Sequence, residues 1–189
     1  MSESQERRIK VTFETTFPTV LKSLHELKFD YARGKGIDFE PFEEFLSPIE
    51  TSDWIQLWSG NDEVDGRDFR IFGRDGSGSH GAFWLAREGK PLLDQPIVFV
   101  SSEGEAGVLA ASFEDYLWLL AQGYGPREAF TYQWQLLHNR PLETREPNAA
   151  FKKFAIEHAK DSEKSAAEIL TTAHAEFPNF ERDLQALGR

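Results

Sequence analysis

The stretch Phe69-Arg-Ile-Phe-Gly-Arg-Asp-Gly-Ser-Gly-Ser-His-Gly-Ala-Phe-Trp-Leu-Ala86 decides the fold class. Phe69 to Phe72 alternates in the period of a strand, residues 73–79 supply turn formers, and residues 81–86 read as the returning strand. The spacing therefore predicts a β-hairpin with a long, glycine-rich loop. Two further apolar runs follow, Pro96 to Val100 and Gly107 to Ala111, separated by the turn Ser101-Ser-Glu-Gly-Glu105. Four strands in a mostly antiparallel sheet are expected.

On either side the period changes to that of helices. Upstream, Val20, Leu21, Leu24, Leu27 and Tyr31 recur at helical spacing over residues 16–31, with Gly34 and Gly36 as stops. A short helix is expected over residues 41–46. Ser52 and Asp53 are expected to cap another, bearing Trp54, Leu57 and Trp58 and ending at Gly60. Downstream, Ser112 suits the cap of a helix carrying Phe113, Tyr116, Leu117 and Leu120. Helical segments then follow over residues 127–138, after Asn148, and after Asp161 or Ser162. The fold class is thus α+β: a mostly antiparallel sheet of about four or more strands flanked by helices, with a helical C-terminal extension over residues 124–189. The 189 residues are about the size of one domain, and 40% hydrophobic composition is enough to bury a core.

Charge is unevenly placed. Against 21 Lys and Arg stand 32 Asp and Glu, a formal net charge of −11. Residues 36–66 hold 9 of those acids and no base, so most of the imbalance is local. That sign argues against affinity for phosphate backbones or anionic lipid, and it favours a basic partner. The aromatics Trp54, Trp58, Phe83 and Trp84 sit among acids, whereas stacking on nucleic acid needs interleaved bases. The absence of cysteine excludes disulfides, thiolate metal sites and cysteine nucleophiles. No aliphatic run is long enough to span a bilayer, and Met1 to Arg8 lacks the apolar core of a secretory signal. A soluble, cytoplasmic protein is expected.

Motifs that could carry chemistry are weak. Asn61, Glu63, Asp65 and Gly66 match four positions of a calcium loop, yet its twelfth position is Phe72, where a bidentate Glu is needed. The glycine-rich loop at residues 73–81 leads into a strand, whereas a phosphate loop must lead into a helix. Asp75, Ser77 and His80 offer the residue types of a triad, and Glu103 with Glu105 those of an acid–base pair, but closeness in sequence does not make either. No cofactor or metal is expected.

The middle of the chain resembles the SUKH superfamily, the Smi/Knr-like proteins. The resemblance rests on Phe39-Glu-Pro-Phe-Glu-Glu-Phe-Leu46, Trp54-Ile-Gln-Leu-Trp58 and Gly60, the hairpin with Ala82-Phe-Trp-Leu85, Pro96 to Val100, Glu103-Gly-Glu105 and Val108 to Leu117. It covers roughly residues 39–123. It implies an α+β fold and an immunity protein that binds and neutralises a cognate polymorphic toxin, such as a basic nuclease, without catalysis. The carboxylates expected to meet such a toxin are Asp62, Glu63, Asp65 and Asp68 before the hairpin, Asp75 in its loop, and Glu103 and Glu105 in the later turn. Trp58 is the candidate aromatic anchor, with packing on the sheet as its bland alternative. The near-neutral C-terminal third is the half less suited to a basic toxin. Two other readings stay open: a regulatory or scaffold module for an endogenous protein, and an enzyme acting on a small molecule or glycan.

Overall fold

A computed structural model describes residues 16–31 and 36–188. Its centre is a five-stranded antiparallel sheet in which each strand pairs with its neighbours in sequence: β1 (Glu40–Pro41), β2 (Phe69–Arg74), β3 (His80–Trp84), β4 (Ile97–Val100) and β5 (Ala106–Ala110). The α+β class and the hairpin are as the periodicity predicts. The fifth strand is β1. It replaces the short helix expected over residues 41–46, because the chain there runs along β2, where the Phe42 and Leu46 amides donate to the carbonyls of Phe72 and Ile71. Pro41 lacks the amide that a longer strand would need, so pairing stops after two residues.

Register puts Ile71, Ala82, Val98 and Val108 in one row across four strands, and these residues share one buried cluster. Phe72, Phe83, Ile97, Phe99 and Leu109 belong to the other cluster, on the opposite face. Both faces of the sheet are therefore covered. Helices α1 (Thr19–His25), α3 (Phe113–Ala121) and α5 (Ala149–His158) supply buried residues to the phenylalanine-rich face. Helices α2 (Pro48–Ser59) and α7 (Phe180–Gln185) serve the aliphatic face. Helix α6 (Ala166–Glu176) contributes Ile169 and Leu170 to one cluster and Ala173 to the other, so it lies across the β5 edge.

That edge is further closed by polar groups. Gln133, buried on α4 (Pro126–Leu137), donates its amide to the Val108 carbonyl (2.8 Å) and to the Leu170 carbonyl (3.1 Å). The Ala106 amide donates to Glu181 on α7 (3.3 Å). The C-terminal third is thus built into the sheet packing.

Helix boundaries shift for local reasons. Helix α2 starts at Pro48, before the Ser52–Asp53 cap expected from sequence. Ser47 and Glu50 form a reciprocal capping box there, and Pro48 takes the first turn. Gly60 ends it at φ +66° as expected. Helix α1 is shorter than predicted, ending by Glu26, and the stop expected at Gly34 lies outside the described residues, as does the Met1–Arg8 segment. Ser112 and Asn148 cap α3 and α5 as predicted, whereas α6 is capped by Ser165 instead of Asp161 or Ser162.

Candidate functional site

The β2–β3 and β4–β5 turns lie side by side at one end of the sheet, and α4 rises beside them. Between them is a cavity of about 250 Å³ lined by Asp75, Ser77, Ser79, Ser101, Glu103, Glu105, Arg127 and Trp134, with Phe99 and Phe130 among its apolar lining. Three of the carboxylates singled out from sequence meet here.

The turns are rigidly built. One Asp75 oxygen accepts from the Ser77 amide (2.8 Å), the Ser77 hydroxyl (2.7 Å) and the Ser79 amide (3.0 Å), which folds residues 75–79 around it. Gly78 sits at φ +86°, a conformation that L side chains rarely adopt. The Ser79 hydroxyl accepts from the Ser102 amide (3.0 Å) and so ties one turn to the other. In the second turn the Ser101 hydroxyl accepts from the Glu103 amide (3.1 Å). Behind Asp75, Arg127 donates to Asp38 (2.9 Å), whose other oxygen accepts from the Gly76 amide (3.0 Å).

Asp75 is therefore not a surface contact group. Its side chain is 2% exposed, its first oxygen is committed to the turn, and Arg127 lies 3.9 Å from the second. Glu103 and Glu105 are exposed at the rim and make no ion pair among the described residues. Opposite them stands Trp134, 41% exposed and stacked on His138 at 4.5 Å. With Arg127 already engaged by Asp38, the rim presents uncompensated negative charge beside an open aromatic face. That combination suits a guanidinium or ammonium group.

The remaining sequence-selected residues divide. Trp58 is half-buried, packs against the aliphatic face of the sheet and donates its indole N–H to the Ser101 carbonyl (2.7 Å). It braces the β4–β5 turn from behind, so the packing alternative holds over the anchor. Asp62 and Glu63 are exposed just beyond the same end of α2, where Asn61 donates to the Leu187 carbonyl (2.6 Å) and Gln185 reaches the Gly104 carbonyl (3.1 Å). Asp65 pairs with Arg67 and lies further back along α2, its carbonyl accepting from the Ser52 hydroxyl. Asp68 is exposed at the opposite end of the sheet, its carbonyl accepting from the Leu85 amide. The acidic stretch thus follows the length of α2 and does not form one contiguous face.

Asp75, Ser77 and His80 do not converge. His80 points to the aliphatic face of the sheet, 4.4 Å from Trp54 centroid to centroid, and its Nδ1 has no hydrogen-bond partner. Burial, and secondarily the nearby Arg74 charge, hold its pKa down to about 4 against a weaker upward pull from Asp75. Next to Arg127 on α4 but outside the cavity lining, burial pushes the Glu128 carboxyl up; one of its oxygens accepts from the Asp38 amide (3.0 Å).

Sequence reasoning missed Arg127, Phe130 and Trp134, which sit in the third of the chain judged less suited to a basic partner. Their signal was present: Arg127, Phe130, Thr131 and Trp134 recur at helical spacing on one side of α4. What the pattern left open was that this side turns toward the hairpin tips. Among the described residues no group of three or more His, Asp or Glu could hold a metal ion, and no helix is long and apolar enough to cross a membrane. No family model, curated protein or solved structure matches the chain.

Proposed function

We propose that the protein is a non-catalytic binding module, an immunity protein of SUKH type that works in the cytoplasm and neutralises a cognate toxin by stoichiometric capture. The observation that carries this reading is the rim of the cavity at the turn end of the sheet. There Glu103 and Glu105 stand exposed on cross-tied turns opposite Trp134. A basic toxin surface would meet fixed carboxylates whose supporting loops are already ordered, so little conformational freedom is lost on docking. Trp134 is the anchor in this scheme, and Asp62 and Glu63 extend the negative surface.

The test begins with capture of the partner from the source cells on the immobilised full-length protein, followed by association kinetics with the captured species. The expected partner is a basic toxin domain. The double variant Glu103→Lys/Glu105→Lys should slow association by about tenfold or more at low salt while keeping the fold, with the difference shrinking at high salt. Capture of an endogenous, non-toxic protein, or an unchanged association rate for the variant, would overturn the proposal.

A further inference from the structure

A second cavity, about 210 Å³, lies along β5 where α4 meets the turn between α6 and α7; it shares Glu105, Phe130 and Trp134 with the first. Its other wall comes from His174, Phe177, Phe180 and Glu181. The volume falls below the roughly 300–1,000 Å³ of sites for drug-sized molecules, so it suits a group the size of one side chain. Apart from the His174 imidazole, which can donate or accept, its polar side chains are acceptors. Gln133, 4% exposed, spends both amide hydrogens on the Val108 and Leu170 carbonyls, and its Oε1 accepts from no donor among the described residues. That oxygen lies over Gly107, where a Cβ would stand 2.8 Å from it and 3.0 Å from the Phe130 ring, so only glycine leaves it room. Glu181 uses one oxygen, for the Ala106 amide (3.3 Å) and the Gln185 amide (3.5 Å), and neither it nor Glu105 makes an ion pair among the described residues. His138 donates from Nδ1 to the Trp134 carbonyl (2.8 Å), which makes Nε2 the acceptor in the neutral ring. No Lys or Arg lines the cavity. Arg87, 5.5 Å over the Phe177 ring, pairs with Glu176, while Arg182 pairs with Asp183 and Arg127 with Asp38. Arg140, past the end of α4, is exposed and outside the lining.

We propose that this cavity binds an alkylguanidinium, the head group and stem of an arginine side chain or of a free guanidino compound. A guanidinium carries only donors, so it can satisfy Gln133 Oε1 and the Glu105 and Glu181 carboxylates together. An anion would face two carboxylates, and a carbonyl group would set acceptor against acceptor. The planar cation also packs on an indole, and Trp134, 41% exposed, is the open ring of the lining. Phe130, Leu137 and Phe180 offer apolar surface to the stem. The site goes beyond the capture reading, since Gln133, His174 and Glu181 lie outside the lining of the rim cavity, and it needs no toxin to be filled.

Titration of the full-length protein with n-butylguanidinium, followed by proton–nitrogen NMR at the Gln133 side-chain amide and the Trp134 indole, tests the proposal. The neutral isostere n-butylurea is the control. The expected result is saturable shifts of both signals with n-butylguanidinium and binding about tenfold weaker or less with n-butylurea. Glu181→Gln, which keeps an oxygen for the Ala106 amide, should weaken n-butylguanidinium binding about tenfold, whereas Glu103→Gln, on the rim alone, should leave it within about twofold. Displacement by a capped pentapeptide with a central arginine among glycines would assign the group to a partner's side chain; failure of that peptide to displace it would assign the site to a free guanidino compound. Equal binding of n-butylurea, no shift at Gln133, or a loss with Glu103→Gln but not with Glu181→Gln would overturn the proposal. The last outcome would put the cation on the rim, whereas an intact guanidinium site in a protein that captures no basic toxin would overturn only the capture reading.

Discussion

His80 offers a direct test of how the sheet is packed. Its side chain shares the aliphatic face with Val100, its register partner, and lies against Trp54 and Phe42, with Nδ1 unpartnered. Protonation there puts a charge among apolar rings, and burial accordingly lowers the folded-state pKa to about 4. The unfolded chain titrates near the ordinary value of 6.5, so between these two values unfolding takes up a proton. The stabilising contribution is therefore complete above about pH 6.5 and is lost as the pH falls toward about 4. From those two values the loss between neutral pH and pH 5 is about 2 kcal/mol, a sizeable part of a typical 5–15 kcal/mol. Urea denaturation at pH 7, 6 and 5 should show this fall in the parent protein, and His80→Gln should have a flatter profile by about that amount, whatever its own stability at pH 7. His25, also lowered chiefly by burial, acts with the same sign and remains in both proteins. Glu128 is raised, so its contribution is lost as the pH rises through its folded value and acts with the opposite sign. Parallel profiles for parent and variant from pH 7 to 5 would refute the assignment of His80 as a buried neutral group.

Two other predictions probe the scaffold. Gly73 lies so close to β1 that a Cβ would stand 2.1 Å from the Phe39 ring and 2.8 Å from the Glu40 carbonyl oxygen. Gly73→Ala should lower stability by about 3 kcal/mol in urea titration. Gln133→Leu, which strips the buried bridge from the Val108 and Leu170 carbonyls, should cost about 2 kcal/mol and speed hydrogen exchange in β5 more than in β2.

The central hairpin and the later strands were legible because their period is short and their turns are rich in glycine, serine and aspartate. Strand β1 was not, since Pro41 to Leu46 carries no pairing signal of its own and becomes ordered only against β2. The same division holds at the candidate site. Local chemistry pointed to the turns that bear Glu103 and Glu105, and to Asp75, whose serine neighbours mark it equally well as a turn organiser. Which acids would meet in space depended on the path of the chain beside α2, and that path separates Asp68 from Glu103 by the length of the sheet. Trp134 escaped selection because helical spacing fixes which residues share a side and leaves open what that side faces.

The closed edges of the sheet constrain how this molecule could evolve new recognition. With β1 cut short at Pro41, which lacks a donor amide, and the β5 edge occupied by Gln133, Glu181 and α6, a foreign strand meets little backbone to pair with at one border and packed structure at the other. Discrimination among ligands must then be written in side chains on turns and helix flanks. Such positions tolerate exchange without disturbing the two hydrophobic layers, so descendants of this scaffold could diverge quickly in what they hold while their interior stays the same.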